Sequence, residues 1–274
     1  MTPGEREAWL EERRLSVGSS DTPMLLGLSK WGGPLTVYHN KINSTADGPE
    51  SEYAEWGHRL EPAIAEACAD AEGLTLEPQK PFALYRNDRY PYMHATPDFI
   101  VREKPCGIEC KNVSVSVQKE WSDGVPDWCY SQVQHQIAVM EWEMCYVSVL
   151  FGGNHHEHFE VYRNDRYIDT INRTACEFWE NNVSKLIEPE PGAFDAAPGL
   201  YKRPIVREAW LTATPEAAQL YNTIKEYGGL METAGRRVDL AKNRLKQIIG
   251  CHHGITGIAS YMEDKNGVRT LRIK

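Results

Sequence analysis

The stretch that decides the fold is His94-Ala95-Thr96-Pro97-Asp98-Phe99-Ile100-Val101, followed by a connector and then Gly107-Ile108-Glu109-Cys110-Lys111. Both segments are short and rich in Ile, Val and Phe, and the connector contains proline and glycine, which is typical of a β-hairpin with a longer loop. Because side chains alternate along a strand, Glu109 and Lys111 face the same side of it. A hairpin therefore brings Asp98, at the head of the partner strand, beside Glu109.

Two carboxylates and one ammonium group in a single patch need electrostatic compensation. Adjacent carboxylates repel each other, and burial further opposes their ionisation. A divalent cation removes this conflict, and sites built from carboxylate oxygens suit Mg²⁺ or Mn²⁺. Lys111 would then orient or deprotonate a water molecule. The hairpin alone leaves an alternative open, a surface hairpin with an ordinary Glu–Lys ion pair.

The length and composition of the chain limit its domain number, its expected location and the state of its cysteines. With 274 residues, 41% hydrophobic and 25% charged, the chain is long enough for one substantial domain with an appendage. It has no long apolar run and its first residues lack an apolar signal region, so we expect a cytoplasmic protein, in a bacterial or phage-infected host cell, with no membrane association. Seven irregularly spaced cysteines indicate reduced thiols rather than disulfides or a zinc or iron–sulfur site.

The net charge of −9 excludes a generic basic coat for DNA. Any nucleic acid would have to bind in a confined cleft or channel with a local basic rim, or through metal ions.

A domain boundary is predicted where Pro, Gly and Ala cluster, from Glu188 to Gly199. It divides a core over residues 1–190 from an extension over residues 200–274. The extension is predicted to contain a helix over 215–249 and a terminal hairpin around Lys265-Asn266-Gly267. The last part of that helix is basic, which fits either a solvated face or a surface for DNA or a partner.

The N-terminal segment has a second polar pattern. Trp9 and Arg13 lie four residues apart in a helical stretch, and Gly18-Ser19-Ser20-Asp21 precedes an apolar segment with Pro23 in its first turn. This is an N-cap signature. A helix N-terminus beside an arginine also suits a phosphate group, so a cap alone and a phosphate site both remain open.

Two further helices carry polar candidates. An apolar stripe that includes Leu60 and Ile64 predicts a helix whose regular part begins near Pro62, with Glu61 at its start. A second helix, over 127–143, contains Gln132-Val133-Gln134. Taken alone, these side chains fit a solvated helix surface equally well.

The remaining strands and helices are predicted from local patterns. Strands are expected over 75–85, 90–94 and 113–117, and a β-hairpin over 144–162 with His155, His156 and His158 at its solvated tip. Asn164 or Asp165 is expected to cap a long amphipathic helix that packs on the sheet.

Pro97-Asp98 … Glu109-x-Lys111 resembles the signature of the PD-(D/E)XK nucleases. The flanking segments, over roughly residues 9–187, resemble those of the YqaJ-type phage recombination nucleases related to lambda exonuclease. The resemblance implies an α/β fold with a restriction-endonuclease-like core, in which helices flank a central mixed β-sheet. The C-terminal helix and hairpin would be an appendage to that core.

The resemblance also implies roles for individual residues. The segment Trp56-Gly57-x-x-Leu60-Glu61-Pro62 is similar to the family's helix that supplies a third acidic group. The implied Mg²⁺ ligands, with Mn²⁺ as a substitute, are Glu61, Asp98, Glu109 and the backbone carbonyl of Cys110.

Among the other implied site residues, Lys111 acts on the attacking water. Gln134, as the second glutamine of a Gln-x-Gln motif, lies near the scissile phosphate, and Tyr130 is a weaker candidate. Arg13 and Ser20 contact a DNA phosphate, with Arg14 as a competitor for the arginine role. The family's usual paired glycines before Asp21 are Ser19-Ser20 here.

The activity that the resemblance implies is metal-dependent hydrolysis of DNA. It would be an ATP-independent 5′-to-3′ exonuclease acting on duplex ends, in recombination beside a single-strand-annealing protein, and some relatives form ring-shaped trimers. Two alternatives stay open at this point. One is a structure-specific or single-strand endonuclease with the same chemistry, and the other is a catalytically silent DNA-binding scaffold on the same fold.

Overall fold

The computed structural model describes residues 3–42, 51–78, 80, 83–195, 212–263 and 268–273. The chain divides into two compact units, Met1–Arg203 and Pro204–Lys274. The helices of the first unit are α1 (Pro3–Arg14), α2 (Thr22–Leu25), α3 (Pro34–Ile42), α4 (Glu52–Glu72), α5 (Asp127–Met140) and α6 (Asp165–Phe178). Its strands are β1 (Val17–Gly18), β2 (Tyr85–Arg86), β3 (Met93–Ala95), β4 (Phe99–Ile100), β5 (Cys106–Val113), β6 (Met144–Phe151) and β7 (His155–Tyr162).

The main sheet has the strand order β4-β5-β6-β7. Strands β5 and β6 run parallel, joined through α5, whereas β4 and β7 lie antiparallel to their neighbours. Phe99 pairs with Ile108, so the predicted hairpin is present and Asp98 lies next to the register position of Glu109. The sheet is mixed and carries helices on its faces, as expected for the fold class.

Each face of this sheet is covered by one principal helix. Residues of α4, such as Ile64 and Cys68, form one buried cluster with Ile108 and Tyr146. On the other face, Ile137 of α5 belongs to a larger buried cluster that also includes residues of α6. The alternation along β5 thereby directs Ile108 and Cys110 to α4 and Glu109 and Lys111 to α5.

A second, smaller sheet has the order β1-β3-β2, with β3 parallel to β1 and antiparallel to β2. Among the described residues of the strands predicted over 75–85 and 90–94, the structure has strands at Tyr85–Arg86 and Met93–Ala95 and an isolated bridge between Leu76 and Val101. Residues 79, 81 and 82 lie outside the described residues. Pro78 and Pro91 explain part of the difference, because proline cannot donate a ladder hydrogen bond.

Two local predictions differ from the structure near the main sheet. Helix α4 continues through Pro62 instead of beginning there. The chain after Val113 forms a 3-10 helix, Val115–Trp121, instead of a strand, and Ser114 caps it by accepting a hydrogen bond from the Ser116 amide. A serine that bonds its own backbone in this way competes with strand pairing.

The β6–β7 hairpin turns at Gly152 and Gly153, whose φ angles of 59° and 79° suit glycine. The three histidines predicted at the tip therefore lie within β7. His158 Nε2 is 2.9 Å from Glu72 Oε1, and His156 Nε2 is 2.8 Å from Ser148 Oγ.

Asn164 caps α6, as predicted, because its side chain accepts a hydrogen bond from the Tyr167 amide. A π-helical turn, Trp179–Val183, follows the helix.

Further along, in the stretch predicted as a linker, Asp195 is buried and its carboxylate accepts hydrogen bonds from the backbone amides of Gly33 and Leu35. Asp195 therefore caps the start of α3. The rest of the predicted linker, residues 196–199, lies outside the described residues.

The second unit contains α7 (Pro215–Ile249) and the strands β8 (Gly254–Ile255), β9 (Ala259–Glu263) and β10 (Arg269–Ile273). Thr214 caps α7 through a hydrogen bond from the Ala217 amide. The strands form an antiparallel sheet in the order β8-β9-β10, and the predicted turn Lys265-Asn266-Gly267 lies outside the described residues. Across the described residues of both units, the structure contains no helix that combines the length and apolarity needed to span a membrane.

Candidate active site

Glu109 lies at the centre of a buried polar group between β5 and α5, and only 2% of the residue is exposed. Its Oε1 accepts a hydrogen bond from Gln132 Nε2 at 2.7 Å and also contacts Lys111 Nζ. Its Oε2 accepts a hydrogen bond from Gln136 Nε2 at 2.7 Å. Both oxygens therefore have partners, which is what a buried carboxylate requires.

Asp98 lies beside this group at the end of the hairpin. Its Oδ2 accepts a hydrogen bond from the Cys110 amide at 2.8 Å. Burial raises the pKa of Asp98 well above its ordinary value, and the nearby carboxylates of Glu109 and Glu61 raise it further, against the opposing effect of Lys111. Asp98 therefore lies within electrostatic reach of Glu109, as the hairpin pattern predicted, and of Glu61, which the family resemblance implied as a third acidic group.

Lys111 is the cation of the group. Burial disfavours its charged form, but the charges of Glu109, Cys129 and Asp98 and the hydrogen bond to Glu109 together outweigh that effect, so the pKa of Lys111 is raised and the side chain stays protonated. Lys111 Nζ also donates to Gln132 Oε1 at 3.2 Å and lies 5.7 Å from the centre of the Trp128 ring. In this arrangement Lys111 is a hydrogen-bond donor and a local positive charge.

Glu61 lies within α4, on the other side of β5. Its Oε1 is 2.8 Å from His58 Nδ1, and 20% of its side chain is exposed. Its backbone carbonyl accepts a hydrogen bond from the Cys110 thiol at 3.5 Å. Glu61 thus meets the Cys110 thiol through its backbone carbonyl, while its carboxylate is turned to His58.

The donor chemistry of Glu61, Asp98 and Glu109 fits a hard divalent cation, because all three present carboxylate oxygens whose mutual repulsion raises the pKa of Asp98. Within the described residues, however, no three His, Cys, Asp or Glu side chains are already arranged to hold a metal ion. The reason lies in their present partners: Glu109 is bound by Lys111 and two glutamines, and Glu61 faces His58.

Gln134 and Tyr130 are not part of this group, contrary to the expectation from the Gln-x-Gln pattern. Gln134 Nε2 donates to the Tyr162 carbonyl at 2.6 Å, and its Oε1 accepts from the Asn164 amide at 2.9 Å. The Tyr130 hydroxyl accepts from Asn164 Nδ2 at 3.3 Å. Both side chains point to the start of α6 because they lie four residues apart, on a face of α5 that does not meet Glu109.

The residues that do meet Glu109 are Gln132 and Gln136, which the sequence reasoning did not select. They are also four residues apart, so they share a face of the helix. Once Val133 and Ile137 are taken as the core stripe of α5, this spacing is the signal that could have identified them.

Arg13 and Ser20 are brought together, as predicted, since Arg13 Nη2 donates to Ser20 Oγ at 3.4 Å. The Arg13 guanidinium also lies 4.5 Å from the centre of the Trp9 ring. Arg14, the competing candidate, pairs instead with Glu11 at 2.5 Å.

Helix α2, in contrast, does not form the predicted capped N-terminus. It has four residues, and Asp21 makes no side-chain cap bond to it. The Asp21 carboxylate accepts instead from the Gly18 amide at 2.7 Å and pairs with Lys41 at 2.6 Å. The Lys41 and Gly18 partners together lower the pKa of Asp21 against the opposing effect of burial. Like Gln132 and Gln136, Lys41 is a residue that sequence reasoning did not select.

Comparison with known proteins agrees with this architecture. Residues 8–143 match the family model described as the YqaJ-like viral recombinase domain. A Bacillus subtilis (strain 168) protein, named uncharacterized protein YqaJ, is 34% identical over 182 residues. That alignment covers 65% of this chain, and the chain spans just 56% of the length of that relative.

Among solved structures, the chain is similar to an alkaline exonuclease, LHK-Exo, from Laribacter hongkongensis. The TM-score is 0.53 at 17% identity, over 66% of this chain and 95% of that chain. A structure of LHK-Exo in complex with dAMP matches to the same extent. The predicted α/β fold, a mixed sheet flanked by helices, is confirmed. The hairpin motif, the fold and the family match agree. Over residues 8–143 the chain therefore carries a domain of the YqaJ-like viral recombinase family.

Proposed function

We propose that this protein is a DNA nuclease that hydrolyses phosphodiester bonds with the help of a divalent cation. The observation that carries the proposal is the position of Asp98 beside Glu109, which in turn is paired with Lys111 in the interior of the sheet. An ion pair at this depth is a poor choice for stability alone, because desolvation offsets much of the attraction. The family match and the exonuclease-like fold support the same interpretation.

The implied cofactor is Mg²⁺, with Mn²⁺ as a substitute. Glu61, Asp98, Glu109 and the Cys110 carbonyl would hold it. When bound, such an ion polarises the phosphate and lowers the pKa of a coordinated water.

The chain's own residues have separable tasks in this proposal. Lys111, held protonated, presents positive charge and a proton donor at Nζ, where a phosphate oxygen or the attacking water would lie. Gln132 and Gln136 fix the orientation of the Glu109 carboxylate through one hydrogen bond to each oxygen. Arg13 and Ser20 provide a phosphate contact in the segment between α1 and α2.

The substrate we propose is duplex DNA, degraded from its ends in the 5′-to-3′ direction without ATP. The support is the similarity in fold to a protein named as an alkaline exonuclease. A net charge of −9 also favours a confined binding cleft over a broad basic surface. A single-strand-annealing protein as partner, a trimeric ring and a cytoplasmic location belong to the same proposal.

The test is incubation of the full chain with end-labelled linear duplex DNA and with closed circular duplex DNA, with and without Mg²⁺. We expect Mg²⁺-dependent loss of linear DNA, release of label from the 5′ end and intact circles. Lys111→Ala and Glu109→Gln should each abolish the reaction. Lys185→Ala, which removes an exposed lysine bonded to Asn181, is the matched control and should retain activity.

Each other result has a definite meaning. Nicking of circles would replace the exonuclease proposal by the endonuclease alternative. Binding of DNA without hydrolysis under any metal would favour the silent scaffold. Full activity in both site variants would show that hydrolysis takes place elsewhere on the chain.

A further inference from the structure

Helix α7 carries a regular apolar pattern that the proposed nuclease chemistry does not use. The helix is 35 residues long. Along it, apolar residues recur at alternating intervals of three and four, and every one of these positions is apolar from Ala217 to Ile248. The seam they form consists of Ala217, Leu220, Ile224, Tyr227, Met231, Ala234, Val238, Ala241, Leu245 and Ile248. Such a repeat over more than four heptads is the sequence signature of a coiled coil.

The seam is largely exposed. The exposed fraction is 71% for Ile224, 76% for Met231 and 61% for Ile248. A soluble monomer rarely leaves a continuous apolar stripe of this length in water. The helix also contains Gly228, Gly229 and Gly235, each of which costs about 1 kcal/mol relative to alanine. A helix with these interior glycines needs packing along its seam to be stable.

We infer that the seam packs against the same seam of a second copy of this chain, as an antiparallel two-stranded coiled coil. The two-fold axis would pass between Glu232 and Thr233, which gives complete overlap of the seam from Ala217 to Ile248. The arguments for a second copy, and for this orientation, come from the side chains in and beside the seam.

The core layers favour the antiparallel orientation. In this register Met231 faces Ala234 of the second copy and Ile224 faces Ala241, so each of these layers combines a large side chain with a small one. A parallel pair would place Ala234 opposite Ala234 and Ala241 opposite Ala241. These two underfilled layers, separated by the Val238 layer, would leave voids, which are costly in a packed interior.

The flanking charges favour the same orientation. In a parallel pair Arg237 would lie against Lys242 of the second copy, and like charges at these positions repel. In the antiparallel register Arg237 faces Leu230 and Lys242 faces Tyr221, so no two cations oppose each other.

Glycine completes the fit. Gly228 of one copy would lie opposite Gly235 of the other, and, apart from the adjoining residues and backbone of α7 itself, no described atom of the single chain lies within 4 Å of the Cβ position of either residue. Two facing glycines allow the helix backbones to approach closely at the centre of the seam. The glycines that weaken an isolated α7 would thus contribute to the contact between copies.

The test is the mass of the full chain in solution by sedimentation equilibrium. Met231→Glu introduces a charge near the two-fold axis, and we expect it to halve the measured mass. Leu240→Glu is the matched control, because Leu240 is 74% exposed on the same helix but lies outside the seam. It should leave the mass unchanged. Far-UV circular dichroism should show that Met231→Glu loses helix together with the association, because α7 then lacks its packing, whereas Leu240→Glu keeps the helix content of the unchanged protein.

A second variant tests the orientation. Met231→Glu combined with Ala234→Lys places opposite charges together across an antiparallel seam but like charges together across a parallel one. We expect the double variant to recover the mass of the unchanged protein. Equal mass for the unchanged protein and Met231→Glu would overturn the association through this seam, and failure of the double variant to recover would overturn the antiparallel register.

Discussion

Gln136 donates its amide proton to Glu109 Oε2 at 2.7 Å, deep between α5 and β5. The same glutamine leaves its own Oε1 buried and without a hydrogen-bond partner among the described residues. A buried acceptor without a donor is costly, so this arrangement is better explained by the demand of the Glu109 carboxylate than by stability. Gln136 is therefore best regarded as a positioning residue for Glu109.

We predict that Gln136→Leu lowers DNA hydrolysis by about tenfold or more, because Glu109 loses the donor that fixes one of its oxygens. The measurement is initial rate per folded molecule on linear duplex DNA. Gln136→Glu should be more harmful than Gln136→Leu, since it places a second carboxylate against Glu109. Equal rates for all three proteins would show that the hydrogen bond has no role in the reaction.

Gln134→Leu is expected to lower the stability of the fold while leaving the rate of DNA hydrolysis nearly unchanged, unlike Gln136→Leu, which is expected to lower the rate. Gln134 connects the Tyr162 carbonyl to the Asn164 amide at the start of α6. Its loss leaves two partly buried backbone groups unpaired, which costs about 1 kcal/mol of the free energy of unfolding. The rate of hydrolysis per folded molecule should remain within about twofold. Urea unfolding and the DNA assay, run on the same preparation, separate these two effects.

These two glutamines show where sequence reasoning reached its limit. The hairpin motif and the position of Asp98 beside Glu109 follow from local patterns, because strand alternation determines which way Glu109 and Lys111 face. The parallel pairing of β5 with β6 does not, because it depends on residues distant in sequence. The rotation of α5 about its own axis, which decides which of its side chains meet Glu109, does not follow from local sequence patterns. Nine of its residues are buried, polar ones included, so hydrophobicity alone does not distinguish the face toward Glu109 from the face toward α6. The short strands and the capping role of Asp195 depend on contacts distant in sequence, which periodicity does not report.

Glu109 and Lys111 should show strong energetic coupling in the metal-free protein. Removing one member leaves the other charge buried without its partner, which costs about 3–5 kcal/mol. We expect Lys111→Met alone to destabilise the fold strongly, and Glu109→Gln combined with Lys111→Met to be more stable than Lys111→Met alone. Urea unfolding of the two single variants and the double variant gives the coupling energy. Additive effects would mean that the pair is not electrostatically linked.

Two buried histidines predict acid sensitivity of the fold. Burial lowers the pKa of His135 to about 4 and that of His94 to about 3. Their ordinary value in an unfolded chain is about 6.5. Below that pH the unfolded state binds more protons than the folded state, so the free energy of unfolding falls as the pH decreases from about 6.5 towards 4.

The expected slope is about 1.4 kcal/mol per pH unit for each histidine that is neutral in the fold and charged when unfolded. His135→Gln should therefore give a flatter dependence between pH 7 and pH 5, even if its stability at pH 7 is lower. The measurement is urea unfolding at several pH values for both proteins. Parallel curves would contradict a neutral His135 in the folded protein, because carboxylate titrations are common to both.

The contacts of Asp195 predict where the core of the first unit ends. Its carboxylate accepts hydrogen bonds from the Gly33, Leu35 and Thr36 amides and from the Thr36 hydroxyl, at 2.6–3.0 Å. These donors lower the pKa of Asp195 against the effect of burial. A core fragment that stops at residue 190 would leave the first turn of α3 without this cap.

We expect Asp195→Ala in the full chain to lower the free energy of unfolding by about 1–3 kcal/mol. Asp195→Asn should recover part of that loss, because its amide oxygen still accepts hydrogen bonds. Unchanged stability of Asp195→Ala would show that this segment is a linker without a structural role in the core.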